Sequence, residues 1–529
     1  VLLVGAPAAA QSILPPSEPD VRTGDLRDQL SRAFPDGSAV APLGWTVSKG
    51  LDVVGAYANP ANSAQSGGGI GGGGHGGADF YTAITPSLSV FGGSSRIQGG
   101  LFFNPELRMY AQKGSLNQFN NNFTGQARGI LLEDQVFVDV TGSSSTSSRS
   151  GGYGQTTSIS RNDSVQTTSF SAKPTVQHKF DDYGTAMASY MLTESLTDAQ
   201  SGVQTSPFAV PVATGPSTTK TQNASFVTGD YFGRTQGSLH YQSTDTNGTG
   251  ATRNSARTNA GLDLERAWSR SWALLAGLGW EDIKYGGATP YQKSDATWNA
   301  GLQWTPNADT TVKVTYGRHD GDTSWTIDAH GSPTQRLQLS VTYAEGISTG
   351  QEDYQNAISA GKLNAAGQLV SPTTGLPITA ANNFFGAQGN SAYRYKRTSA
   401  NASLLGERNV YTLSVQKYDQ TLLSSGTTGT PTQTNGIDGT LAFQRELNPS
   451  MSLSLFSSIG QRSAPGGSST GGNAGTVTQD TMSLGATLTV VLSDTLTGRA
   501  QYSYTSNTSA TAGQSTTQTL FLVGLHKTF

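Results

Sequence analysis

The residues with the most obvious chemical potential are six histidines, His75, His178, His240, His319, His330 and His526. None forms H-E-x-x-H or another close ligand pair. His319 and Asp320 are adjacent in G-R-H-D-G-D, and outer-membrane proteases use Asp–His pairs. One dipeptide at a strand end is also what a solvated turn presents, and that second reading is preferred. There is no G-x-S-x-G elbow and nothing like the Ser–His–Asn set of outer-membrane phospholipases. Asp320, Asp322 and Asp328 can attract a cation, but without calcium-loop spacing. The run G-G-G-I-G-G-G-G-H-G-G at 67–77 lacks the G-K-S/T of a phosphate loop and reads as a flexible extracellular loop. The chain is therefore expected to have no catalytic, cofactor-binding or metal-binding residues and to be no enzyme.

What remains is polar side chains able to line a wet passage. Lys313, Arg499, Gln501, Asn299 and Gln303 are the lumen candidates, with Arg128, Lys173 and Arg397 beside them. Charge inside a barrel tunes which solutes pass. The same residues can equally be wall residues salt-bridged to one another, and their mixed signs predict no ion selectivity.

Strands must position such a lining. From residue 46 onward, apolar and polar residues alternate with a period of two, which puts them on opposite faces. Trp272, Leu274, Ala276, Leu278 and Trp280 form one apolar set, and Trp298, Ala300, Leu302 and Trp304 another. Tyr316 and Tyr343 end two more. Trp272 and Trp280 lie about 26 Å apart along a strand at about 3.3 Å per residue. A tilt of about 40° reduces that to roughly 20 Å, near the apolar band of about 25 Å that aromatic girdles flank in transmembrane barrels. These six rings are the expected girdle.

Composition agrees. Charged residues are 13%, about half the ~25% usual for soluble domains. Hydrophobic residues are only 35%, leaving Gly, Ser, Thr, Asn and Gln as the bulk. A lipid-facing wall around a hydrated lumen fits that balance. A net charge of -3 gives no support to a nucleic-acid partner. The absence of cysteine rules out a disulfide framework.

The last strand, T-L-F-L-V-G-L-H-K-T-F, stops on Phe529. With Phe521, Val523 and Leu525 on one face, it resembles the C-terminal strand that the barrel assembly machinery reads. Lys527 departs from that pattern, where a long cation can snorkel at the boundary. Residues 1–10, V-L-L-V-G-A-P-A-A-A, read as a signal-peptide remnant or a flexible apolar tail. Residues 11–45 read as a periplasmic segment with a short helix at Thr23–Phe34, which caps the barrel floor or rests on its rim.

Tight turns are expected at Leu132–Gln135, Asp181–Gly184, Arg234–Gly237, Trp268–Ser271, Pro306–Asp309, Ser332–Gln335, Glu407–Asn409, Asn448–Ser450 and Ser493–Asp494. Long loops are expected at 63–77, 149–163, 200–219, 347–391, 425–434 and 464–476. Short periplasmic turns and long extracellular loops are the transmembrane-barrel asymmetry. The expected fold is all-β: a single antiparallel up-and-down barrel over 46–529, of about 22 strands within a range of 18–24. Loop 347–391 carries a helix-like piece, Glu352–Leu363. It either folds into the mouth and narrows it or stays outside.

Gly50–Asn59, F-Y-T-A-I-T-P-S-L-S-V-F-G at 80–92, the Gly301–Tyr316 hairpin and Gln335–Ser348 carry a family resemblance. The chain resembles the PEP-CTERM-system-associated outer-membrane β-barrel family, grouped with the β-barrel porin type 2 proteins. The likeness is of pattern and turn spacing over roughly residues 46–529. It implies a non-enzymatic barrel of the Gram-negative outer membrane, associated with exopolysaccharide and exosortase loci. The resulting expectation is a porin-like channel for polar solutes or polysaccharide export, partnered by outer-membrane lipid, assembly machinery and periplasmic export components. The alternative is a surface-binding or anchoring barrel that uses its Ser/Thr/Gly-rich loops.

Overall fold

A computed structural model describes residues 44–59, 78–112, 114–148, 164–199, 215–360, 362–363, 369–370, 391–424, 433–465, 476–509 and 515–529. The expected signal remnant, the Thr23–Phe34 helix, His75 and the Gly-rich 67–77 run lie outside these residues.

All strands but the short pair Lys362–Leu363 and Leu369–Val370 form one closed antiparallel barrel. Each pairs with its neighbours in sequence, and the first, Gly44–Asn59, pairs with the last, Thr516–Thr528. The ring contains 24 hydrogen-bonded pieces. Two breaks do not change register. Ile97–Phe103 and Glu106–Tyr110 keep one register against Asp79–Gly93, and Gln118–Asn120 and Phe123–Leu132 keep one against them. The wall therefore has 24 − 2 = 22 strands. Closure pairs each strand on both sides through most of the wall, so backbone polar groups there are satisfied within it; the exception is the stretch above Tyr343.

Side-chain exposure alternates as the sequence predicts. Trp272, Leu274, Leu278 and Trp280 face out, while Ala273, Leu275, Gly277 and Glu281 face in. Trp298, Leu302, Trp304 and Tyr316 also face out. Trp272 and Trp304 are directly opposed across neighbouring strands, with ring centroids 6.0 Å apart. Trp298 and Tyr316 meet at 5.8 Å. Tyr343 lies opposite Ile327 and donates its hydroxyl to Glu345 at 2.6 Å. On the last strand Phe521, Val523 and Leu525 face out and Leu520 and Leu522 face in. Phe529 is 74% exposed, and its N–H donates to the Lys49 carbonyl. An outward face this apolar is stable only against hydrocarbon.

Short turns cluster on one rim, at 133–135, 181–183, 268–271, 308–309, 335–336, 406–408, 449–450 and 494–495. One expected turn is misplaced: Arg234–Gly237 is largely strand, and the reversal uses the Asp230–Phe232 turn of 3-10 helix instead. Tyr183 and Tyr231 pack there with centroids 4.8 Å apart and planes tilted by 38°, so local aromatic packing helps set the corner. The opposite rim is less uniform than expected, because tight connections at 248–254, 286–290 and 320–321 stand among its longer ones. Expected loop bounds also shift, as strands extend into Gly215–Thr219, Ile347–Thr349, Gln433–Thr434 and Ala464–Pro465.

Candidate functional site

The lumen candidates lie on the inward parity of their strands, and most have wall partners. Asn299 donates to Asp263 at 3.3 Å and Gln303 to Glu265 at 3.4 Å, each across the intervening strand. Gly277 stands between Asn299 and Asp263, and a Cβ there would strike both. Arg499 pairs with Asp52 at 3.5 Å. Lys313 lies opposite Asp328, and Gln501 lies opposite Thr487 and Leu522. Arg128 holds Asp139, which faces Lys173 in register. These residues lie on five strands in three separate stretches of wall, and the structure does not gather them into one site.

The gathered site is at the mouth. The helix Gly350–Ala360 follows directly on the strand Leu337–Thr349. It starts with a capping box. The Thr349 hydroxyl accepts from Glu352 N–H at 3.1 Å, and the Glu352 carboxylate accepts from Thr349 N–H at 3.0 Å. The T-x-x-E spacing at 349–352 is the sequence signal for this start.

The polar side chains of this helix reach several walls. Glu352 accepts from the Tyr285 hydroxyl at 3.0 Å. Gln351 accepts from Thr252 at 3.4 Å. Gln355 donates to Ser195 at 3.1 Å and accepts from Thr219 at 3.4 Å. Asp353 pairs with Arg397 at 3.2 Å, and Tyr354 shares a hydrogen bond with Ser145 at 3.2 Å. Arg397 belongs to the sixteenth wall strand and Ser145 to the fifth, which is 11 places apart in a ring of 22. Two adjacent helix residues therefore touch opposite sides of the barrel. The described helical part of the loop therefore lies inside the mouth and narrows it.

A second element folds in with the helix. Pairing between Asp322–Thr334 and Leu337–Thr349 stops at Ile327 opposite Tyr343, whereas Leu337–Thr349 stays paired with Ala392–Leu405 up to Thr349 opposite Ala392. Above Tyr343 these two strands form a ribbon separated from one neighbour. Ile347, Tyr393 and Tyr395 on it are buried. Ile347 and Ala392 pack against Ala251, Ile283 and Tyr285.

Asp320 fastens this ribbon. It is ion-paired with Arg257 and accepts from Ile347 N–H at 3.1 Å. Arg257 also donates to the Ile347 carbonyl at 3.2 Å. Glu281 accepts from Gly321 N–H at 2.8 Å, and Arg394 pairs with Asp322. His319 sits between Asp320, at 3.3 Å from Nδ1, and Ser324, at 2.7 Å from Nε2. The expected solvated His319–Asp320 pair is thus corrected, since Asp320 is 8% exposed on its side chain and lies inside a network. The three residue types match a hydrolase relay. Ser324, however, is 4% exposed and closed off from a substrate, and Asp320 is committed to Arg257 and the ribbon. Their arrangement fastens the turn. Among the described residues, no three His, Asp or Glu side chains converge as a metal site.

Burial alone would raise the Asp320 carboxyl, but Arg257 outweighs it, with His319 and the Ile347 N–H, and holds it below its usual 3.8. Burial pushes Glu352 above its usual 4.5 against the Thr349 N–H, the Tyr285 hydroxyl and Arg257. Burial likewise raises Asp353 against Arg397. Docking through Glu352 and Asp353 is therefore strengthened by protonation and lost as pH rises through their raised values. The Asp320 contribution has the opposite sign and is lost as pH falls through its depressed value. The docked mouth is tightest in the mildly acid window between them. Conductance at about pH 5 should be lower than at about pH 8, given ordinary carboxyl values near 4. If wild type and the double variant Glu352→Gln, Asp353→Asn respond identically to pH, these carboxyls do not control docking.

No family model and no curated protein sequence matches the chain. Among solved structures it is similar to the closed form of the ferric-catecholate import receptor Fiu from E. coli K12, at 11% identity over 91% of this chain and 82% of that one, with a TM-score of 0.50. It is also similar to the FrpB iron transporter from Neisseria meningitidis, at 11% identity over 91% and 81% with a TM-score of 0.49. A third is the outer membrane protein OpdK from Pseudomonas aeruginosa, at 11% identity over 92% and 99% with a TM-score of 0.31. At these identities the likeness is one of fold alone, and the chain has the closed-barrel fold of outer-membrane proteins.

Proposed function

We propose that the protein is a passive outer-membrane conduit for small polar solutes, with its mouth narrowed by the Gly350–Ala360 helix. The observation that carries this is the combination of an apolar girdled exterior, an inward face of Ser, Thr, Asn and Gln, and a helix anchored to opposite walls. A wet lumen admits polar molecules, and the constriction selects them by size and hydrogen bonding. Export of a sugar polymer, the finer reading that the family resemblance suggests, requires the helix to leave the mouth. Purified protein in a planar bilayer should show small stepwise conductance. A folded barrel that stays silent even without the helix would point instead to an anchoring role.

A further inference from the structure

We propose that the ribbon of residues 344–349 and 392–396 is a gate with two pairing states, and that its open state completes the wall ladder that now stops at Tyr343. The proposal rests on the conduit reading.

The observation behind it is a pair of vacant strand edges that face one another. Residues 322–326 keep their partner on one side, up to His319 opposite Asp322. Residues 344–349 keep theirs on the other, up to Thr349 opposite Ala392. The ladder between these two stretches is missing, although it is regular from Gly331 opposite Leu339 to Ile327 opposite Tyr343. Unpaired backbone edges are ready templates for a strand. Continuing the existing register sets Thr326 opposite Ala344, Trp325 opposite Glu345, Ser324 opposite Gly346 and Thr323 opposite Ile347. The period of two is kept, so no side chain of the ribbon has to change face.

The ribbon itself is held inward by a few replaceable contacts. The Ile347 N–H and carbonyl, which would join the ladder, are bonded instead to Asp320 and Arg257. Gly346 fits closely there: an added Cβ would lie 2.9 Å from the Tyr395 hydroxyl and 3.0 Å from Asp320 Oδ2. Opening exchanges these ribbon bonds for ladder bonds of similar kind, while the helix's own wall contacts favour the inward state by about 1 kcal/mol each. Because the helix continues the ribbon strand without a break, the movement withdraws it and parts Asp353 from Arg397 and Tyr354 from Ser145.

The chain has no cysteine, so an introduced pair reports on itself alone. Thr323→Cys with Ile347→Cys should form a disulfide under oxidant, because the open register brings the two residues to ladder distance. Channels locked this way should conduct several-fold more than the reduced form, and reductant should reverse the gain. Gly346→Ala should raise the open fraction without cross-linking. No disulfide after exhaustive oxidation of the folded barrel would overturn the two-state gate. A disulfide that leaves conductance at the reduced level, in a protein whose helix-deleted form conducts, would overturn it too. Disulfide yield read by mass spectrometry needs no conduction. A silent helix-deleted barrel with full disulfide yield would therefore refute the conduit and leave the ribbon movement supported.

Discussion

Replacing Gly350–Ala360 with a short Gly/Ser link should raise single-channel conductance by about two-fold or more, because the narrowest section of a pore sets its resistance. The helix is anchored through Asp353 to Arg397 and through Tyr354 to Ser145, so it occupies part of the lumen at that depth. Its other anchors, Glu352 on Tyr285 and Gln355 on Ser195 and Thr219, are polar as well. Hydrogen bonds of this kind have net values of about 1 kcal/mol each. The ring of paired strands closes below Tyr343 without them, so the deletion should leave the barrel folded, and retained gel mobility of the unheated protein would check this. Larger polar solutes should then enter as well, which liposome swelling with sugars of graded size would read. Unchanged conductance and an unchanged size limit would mean that the resistance lies elsewhere in the lumen.

The barrel was legible because lipid imposes a local rule. An outward residue must be apolar whatever its partners are, so Trp272–Trp280 and Trp298–Trp304 reveal their faces from spacing alone. Inward positions follow by subtraction, which is how Asn299 and Gln303 were found. Their partners Asp263 and Glu265 lie two strands away, and only the register of three strands brings them together. The mouth is less legible for the same reason. Glu352–Leu363 read as a helix, and the structure has Gly350–Ala360. Its location depends on side chains at Ser145, Ser195, Thr252, Tyr285 and Arg397, which share no motif. His319 and Asp320 looked like an exposed turn because the residues that cover them, Arg257 and the ribbon at Ile347, are far off in sequence. A capping box at 349–352 was readable, and it marks the helix start without saying which way the helix points.

An arginine at Ala276 should destabilise the barrel by about 2–4 kcal/mol, the depth-dependent cost of a cation at the middle of the lipid face. Ala276 is exposed, faces out, and stands midway between Trp272 and Trp280. Trp272 and Trp280, at either end of the apolar outward set, mark the two interfaces, so position 276 falls where hydrocarbon is thickest and snorkelling is hardest. Ala300 lies opposite it and Tyr316 opposite Ala300, so the lipid-facing side continues onto two further strands. Thr315, next to Tyr316 and opposite Gly301, points the other way. Thr315→Arg places the same cation on the inward face of a nearby strand, against water, and should cost under about 1 kcal/mol. Urea unfolding in phospholipid vesicles compares the two directly. Equal losses would mean that both faces meet the same medium, and the assignment of one face to lipid and the other to a hydrated lumen would fail.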